Sequence, residues 1–167
     1  MMKNKDFFRE LVACAPEHAE RPRPILACVD FSDSTAGVIG ETATLACATK
    51  AEVKLFYVVT EEHDFPMLSP GAVVAAPSVA PDKAAALAHT REFVGLLEKV
   101  GVKAEAKVVS GDVVDEIIAE AESLRPQRII VGSHGHSALY ELVVGSVAEG
   151  LLRRSPVPVV IVPCHKK

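Results

Sequence analysis

The chain has 167 residues, 49% of them hydrophobic and 5% aromatic, with a formal net charge of −4 at pH 7. That length buries one sizeable core and falls short of two, so one folded domain is expected. The acidic balance and scarcity of aromatic residues exclude a surface built on phosphate neutralisation and base stacking, and no nucleic-acid partner is expected.

Residues Met1 to Pro24 precede the first clear strand. Within them, Phe7, Phe8, Leu11 and Val12 recur at a spacing that suits one face of a short docking helix over Asp6 to Ala13. Met1 to Glu10 is polar and charged rather than a basic segment leading into a long apolar one, which predicts a cytoplasmic protein without membrane contact. Arg21-Pro22-Arg23-Pro24 then reads as an extended linker, because each proline lacks an N–H and biases its predecessor away from the helix.

Ile25 to Val29 is a compact apolar run ending in Asp30-Phe31-Ser32-Asp33-Ser34, after which Val38, Ile39, Thr42, Leu45 and Ala46 recur at helical period. Val53 to Val59 is a second strand, rich in β-branched and aromatic residues. From His63 the prolines at 66, 70, 77 and 81 forbid any long regular element and predict a loop over 61–81. Asp82 is the expected N-cap of a helix running to Val100, with Leu87, Phe93, Val94, Leu97 and Val100 inward and Gly101 as terminator. Val102 to Val109 mixes apolar residues with Lys103, Glu105 and Lys107, the alternation of an edge strand.

Asp112 is expected to cap a further helix whose Val113, Val114, Ile117, Ile118, Ala121 and Leu124 form one stripe, with Pro126 ending it. Ile129 to Val131 is a short fourth strand, and Val157 to Val162, bracketed by Pro156 and Pro163, reads as a second edge strand. Strand and helix therefore alternate through the chain, which calls for an α/β fold with a parallel sheet and helices on both faces. The four cysteines, Cys14, Cys28, Cys47 and Cys164, lie far apart with no C-x-x-C spacing and are expected to be buried reduced thiols. His134 and His136 straddle a glycine, but with no cysteine or second histidine cluster beside them they serve better as phosphate donors than as metal ligands.

The stretch carrying most chemistry is Val131-Gly132-Ser133-His134-Gly135-His136, followed by Val144-Gly145-Ser146-Val147. Its glycines stand where a strand hands over to a helix. Glycine lets the backbone approach a ligand closely, and the first turn of a helix offers N–H groups to an anion. The stretch therefore reads as a phosphate cradle, although Ser146 with Glu149 also has the S-x-x-E spacing of a helix capping box. Asp30 could likewise be a mere turn residue. Should the first and fourth strands be neighbours, however, it faces the glycines across the crevice where the winding of such a sheet reverses.

Gly132-x2-Gly135-x9-Gly145-Ser146, with Ile25-Leu26-Ala27-Cys28-Val29-Asp30-Phe31-Ser32 upstream, resembles the ATP-binding branch of the universal stress protein family. The runs Leu55 to Val59 and Ser155 to Val159 resemble that family's second and closing strands. The resemblance implies a five-stranded parallel sheet of order 3-2-1-4-5, with residues 1–24 as arm and linker and the domain over 25–165. It also implies ATP as ligand, with Mg²⁺ carried on the phosphates. Asp30, with Phe31 and Ser32 of its turn, would accept from the ribose, and Val58 would meet adenine through its backbone. Val131, Gly132, His134, Gly135 and His136 would pass under the sugar and phosphates, and Gly145, Ser146 and Val147 would hold the phosphates.

The sequence departs from the family pattern at Gln127 and Arg128, at His136 and Ala138, and in the arm and the proline-rich loop. Three functions remain open at this point. The first is a regulatory protein in which nucleotide occupancy is a conformational switch in a stress response. The second is a slow ATPase or phosphoryl- or adenylyl-transfer enzyme on the same site, disfavoured because a Walker G-x4-G-K-[ST] is absent. The third is a dimeric scaffold without nucleotide. A homodimer through the edge strand 157–162 is expected in any of the three.

Overall fold

The computed structural model describes residues 22–60, 82–133 and 144–163. In chain order these form β1 (Ile25–Cys28), α1 (Thr35–Thr49), β2 (Val53–Val59), α2 (Lys83–Lys99), β3 (Ala104–Ser110), α3 (Val113–Leu124), β4 (Arg128–Gly132), α4 (Ser146–Arg154) and β5 (Val159–Val162). The expected docking helix over Asp6 to Ala13, the loop 61–81 and residues His134, Gly135 and His136 lie outside the described residues.

The strands form one five-stranded parallel sheet in the order β3-β2-β1-β4-β5, as expected. Ile25 of β1 is in register with Val53 of β2 on one side and Arg128 of β4 on the other. The chain thus leaves β1 in one direction and later returns to its opposite side. Right-handed crossovers then put α1 and α2 on one face of the sheet and α3 and α4 on the other.

The side chains obey this division. Ile25, Ala27, Val53, Leu55 and Ile130 face Val38, Ile39 and Ala46 of α1 and Leu97 of α2. Leu26, Cys28, Phe56, Val58, Ile129 and Val131 face Ile117, Ile118 and Ala121 of α3 and Ala148 and Leu151 of α4. Because both faces are covered, β1 is an unbroken apolar run, its Ile25, Leu26 and Ala27 all at 0% exposure. Among the described residues β3 has one strand neighbour, and its burial alternates from Ala104 to Val108 as the sequence implied.

Element ends differ from expectation where a local hydrogen bond competes with the ladder. Val102 is buried but lies outside β3, since its N–H donates to Leu97 C=O at 3.0 Å and closes the end of α2. Gly101, at φ +81°, makes that reversal possible. Val157 is outside β5 because its N–H donates to Ser155 Oγ at 3.2 Å, and Pro158 has no N–H to give. Asp112 caps α3 as expected, accepting from Asp115 N–H at 3.0 Å, whereas Asp82 stands at the N-cap of α2 without a side-chain bond.

Two expectations about packing need correction. Val100 is 57% exposed, as it lies past the last turn of α2, and the buried positions of that helix are Ala86, Thr90 and Leu97. Cys28 is a buried thiol but Cys47 is exposed, while Cys14 and Cys164 lie outside the described residues. Glu120, unexpectedly, is buried on α3, where Lys107 of β3 supplies its countercharge. Unpaired, such a carboxylate would be strongly destabilising.

α3 and α4 meet at Gly150, where an added Cβ would come within 2.9 Å of a Val114 methyl. Gly150→Ala is expected to lower stability by about 1–3 kcal/mol through overpacking, offset in part by alanine's better helix propensity. Chemical denaturation measures the difference, and pairing it with Val114→Ala should return most of the loss.

Candidate functional site

The carboxyl ends of β1, β2 and β4 open into a cleft of about 240 Å³ between the sheet and the starts of α3 and α4. Its floor is apolar, made by Cys28, Phe56, Val58 and Val131 from the strands and by Val113 and Ile117 from α3. Its rim is polar or backbone, made by Asp30, Thr60, Gly132, Ser133, Gly145 and Ser146. Asp30 and Gly132 meet there because β1 and β4 are paired neighbours whose ends lie side by side.

The two halves of the glycine stretch are tied together at its base. Gly145 N–H donates to Ser133 C=O at 2.8 Å, and Ser133 N–H donates to Val162 C=O at 2.7 Å. This anchors the start of α4 beside the end of β4. Gly145, extended at φ −61° and ψ 155°, is the N-cap of α4, and no side chain caps the helix among the described residues. Ser146 is the first residue of the helix rather than its cap, so the capping box anticipated with Glu149 does not form. Glu149 instead bonds Arg153 one turn on, at 2.6 Å. The first amides of α4 thus open toward the cleft with a helix dipole behind them.

Asp30 sits in a tight turn. One of its carboxylate oxygens accepts from Ser32 N–H at 3.0 Å, from Ser32 Oγ at 2.6 Å and from Thr35 Oγ1 at 3.3 Å. The turn reading of this residue is therefore realised, together with its place on the cleft rim. The turn passes through Phe31 at φ +61°, a left-handed conformation that costs a bulky residue about 1–2 kcal/mol. Its ring stacks on Tyr57 and on His89 of α2, with centroids 4.3 Å apart in both pairs and interplanar angles of 16° and 20°. At about 0.5–1.5 kcal/mol for each stacked pair, the two contacts are enough to offset the backbone strain.

Of the site residues anticipated from sequence, Asp30, Val58, Val131, Gly132, Gly145, Ser146 and Val147 line the cleft together. Phe31 and Ser32 stand behind Asp30 and shape its turn without lining the cleft. Cys28, Val29, Phe56, Tyr57, Thr60, Val113 and Ile117 were not anticipated, and Ser133 was read only as part of the glycine stretch. Val113 and Ile117 were legible only as a core stripe, and nothing in a strand marks which of its core residues also reaches a cleft.

Burial pushes the Cys28 thiol up, with the Glu120 carboxylate adding to it, so the cysteine on the floor is a neutral, unreactive lining group. Burial first, and the Asp30 charge second, raise Tyr57 above the usual value of about 10. Above that pH the unfolded chain ionises Tyr57 before the folded one does, so this group's share of stability is lost as pH rises further. Tyr57→Phe should therefore flatten the alkaline fall in stability, and denaturation midpoints between pH 9 and about 11 test this.

A larger hollow, about 590 Å³, lies at the opposite end of the sheet, where β2 and β3 begin. Two of its three lysines are already engaged, Lys54 with Glu105 and Lys103 with Glu52, and the helices that reach it, α1 and α3, end there rather than begin. The site is placed at the smaller cleft on that ground. Among the described residues no cluster of metal-ligating side chains occurs, and no helix is long and apolar enough to cross a membrane.

The model of the universal stress protein family matches residues 22–163, which takes in the whole sheet and the cleft. The chain belongs to the universal stress protein family. Universal stress protein MJ0577 of Methanocaldococcus jannaschii is 41% identical over 66 residues, a match covering 40% of this chain and 41% of that protein. A universal stress protein A-like protein of Arabidopsis thaliana is 31% identical over 81 residues, covering 48% and 46%. In sequence, then, the chain spans less than half the length of these relatives. In structure the likeness is broader: MJ0577 superposes with a TM-score of 0.69 at 25% identity, over 87% of this chain and 98% of that one. A universal stress protein solved in complex with cAMP shares the fold at 22% identity, with a TM-score of 0.64 over 87% and 99%.

Proposed function

We propose that this universal stress protein binds ATP in the cleft and that occupancy acts as a conformational switch in a stress response of the cytoplasm. The observation that carries the reading is the convergence of one carboxylate, two glycines and an uncapped helix start on an apolar floor at the reversal point of the sheet. Each part has a matching piece of nucleotide. The floor takes the base, with the backbone of Val58 at its edge, and Asp30 takes the ribose hydroxyls. The amides at Gly132, Gly145, Ser146 and Val147 take the phosphates, as helix starts commonly do. His134, Gly135 and His136 are proposed to complete the phosphate side. The cleft is below the ~300–1,000 Å³ of most small-molecule sites, which suits a base and sugar held inside with phosphates at the rim. Neighbours in the family solved with cAMP, with dAMP and with AMP support an adenine nucleotide. Mg²⁺ would ride on the phosphates, since it keeps most of its waters and needs few protein ligands.

No lysine or arginine occurs among the described residues of the cleft wall, so the cation that phosphoryl transfer needs near the γ-phosphate is not supplied there. This favours binding over turnover. Switching then draws only on the difference in ATP affinity between two shapes of the protein. A homodimer through 157–162 is part of the same proposal, because β5 has a strand neighbour on one side only in the described sheet.

Equilibrium dialysis with ATP and Mg²⁺, followed by an ADP assay, tests the reading. One retained ATP per chain with negligible ADP supports it. Absence of binding overturns it, and steady production of ADP over many turnovers replaces it with an enzyme. Light scattering after gel filtration tests the dimer, and a monomeric mass overturns that part alone.

A further inference from the structure

We propose that Phe31 is a positioning residue for nucleotide recognition: the stack of Tyr57, Phe31 and His89 holds the β1–α1 turn in the one conformation that aims the Asp30 carboxylate at the ligand's sugar. The inference rests on the proposed role of Asp30 and extends it to Phe31 and His89, which do not line the cleft. Its starting point is the left-handed backbone of Phe31, a conformation that large side chains avoid. That conformation turns Ser32 N–H back onto the carboxylate two residues earlier, at 3.0 Å, and brings Ser32 Oγ to 2.6 Å. With Thr35 Oγ1 at 3.3 Å, these donors fix the rotation of the carboxylate. Were Phe31 to relax to negative φ, the Ser32 amide would swing away and its hold on the carboxylate would be lost.

The turn does not hold Phe31 there by its own bonds alone. The phenyl ring lies between two others, Tyr57 from the end of β2 and His89 from α2, each at 4.3 Å and nearly parallel. Phe93 lies one helical turn beyond His89, with its ring centroid 5.3 Å from the imidazole, and extends the stack. Tyr57 is also part of the cleft wall, so the stack runs from the ligand's surroundings to the outer layer of the protein. α2 is thereby connected to the sugar end of the site although it contributes nothing to the cleft wall.

A structural role for Phe31 would weaken every ligand alike, whereas a positioning role weakens only those that use Asp30. The comparison is therefore between ATP and 2′,3′-dideoxy-ATP, titrated into the full chain. Phe31→Gly is the main variant because glycine takes positive and negative φ about equally, so the fold tolerates it while the ring that holds the turn at positive φ is lost. It is expected to lower ATP affinity about tenfold, the scale of one hydrogen bond to a charged group, and to leave the dideoxy analogue unchanged. Phe31→Tyr should restore ATP binding, and His89→Ala should give a smaller loss that His89→Phe repairs. Equal weakening of both ligands, or undiminished ATP affinity in Phe31→Gly, overturns the proposal.

Amide hydrogen exchange at Ser32 supplies a readout without ligand. It should quicken in Phe31→Gly and return toward the parent rate in Phe31→Tyr, and an unchanged rate in Phe31→Gly overturns the proposal. If the unaltered protein binds ATP and the dideoxy analogue equally, the sugar role of Asp30 fails. The exchange rate then still decides whether the stack orders the turn.

Discussion

Gly132→Val is expected to lower ATP affinity by about ten- to hundredfold while leaving the protein folded. Gly132 closes β4 in register with Val162 of β5, so a β-branched residue suits its backbone. The same residue is part of the cleft wall, and a valine side chain there fills space that the sugar and first phosphate are proposed to occupy. Forcing atoms into filled space costs about 1–3 kcal/mol, and every 1.4 kcal/mol is a factor of ten in affinity. Asp30→Ala should produce a loss of similar size by a different route, removing a charged acceptor worth about 1.5–3 kcal/mol. Calorimetric titration of both variants decides the matter. Parent-like affinity in the pair would mean that ATP, if bound, is bound elsewhere.

Ile117→Ala should cost about 2–5 kcal/mol of stability, a large part of the ~5–15 kcal/mol that holds a typical domain together. Ile117 is only 1% exposed and packs among Leu26, Phe56 and Ile129, yet it also borders the cleft from below. Truncation therefore removes core contacts and deepens the ligand's floor at once. At about 2–4 °C per kcal/mol for a protein of this size, the melting temperature should fall by roughly 4–20 °C. Saturating ATP offers a second check, since a ligand at a hundred times its Kd adds about 2.7 kcal/mol to the folded state. The parent should gain that increment in full. The variant should gain less, because the base rests over a void, and thermal melts with and without nucleotide measure both.

The sheet order and the meeting of Asp30 with Gly132 and Gly145 were legible because they follow from few rules. A chain alternating strand and helix has little choice of handedness, and the family likeness supplied the order. What sequence did not carry was the contribution of residues whose role depends on a distant partner. Tyr57 looks like any aromatic in a buried strand until Phe31 and His89 are seen on one side of it and the cleft on the other. Glu120 looks like a solvated helix residue until Lys107 is seen across from it. Ser146 was misjudged by a single position, since Gly145, which lacks a side chain to cap with, took the N-cap itself. Val100 shows the limit of periodicity: its spacing from Leu97 fits the inward face, but the helix has ended before it.

The bond between Ser133 and Gly145 has an implication for how this region can be altered. Because the two ends of the intervening segment are latched to one another, and Ser133 in turn to Val162, the approach of α4 to the sheet is set outside that segment. Closing a loop costs free energy that grows only logarithmically with its length. A change in the length of the segment between Ser133 and Gly145 is therefore expected to leave the placement of α4 unaltered, because the bonds that set it are made by Ser133, Gly145 and Val162.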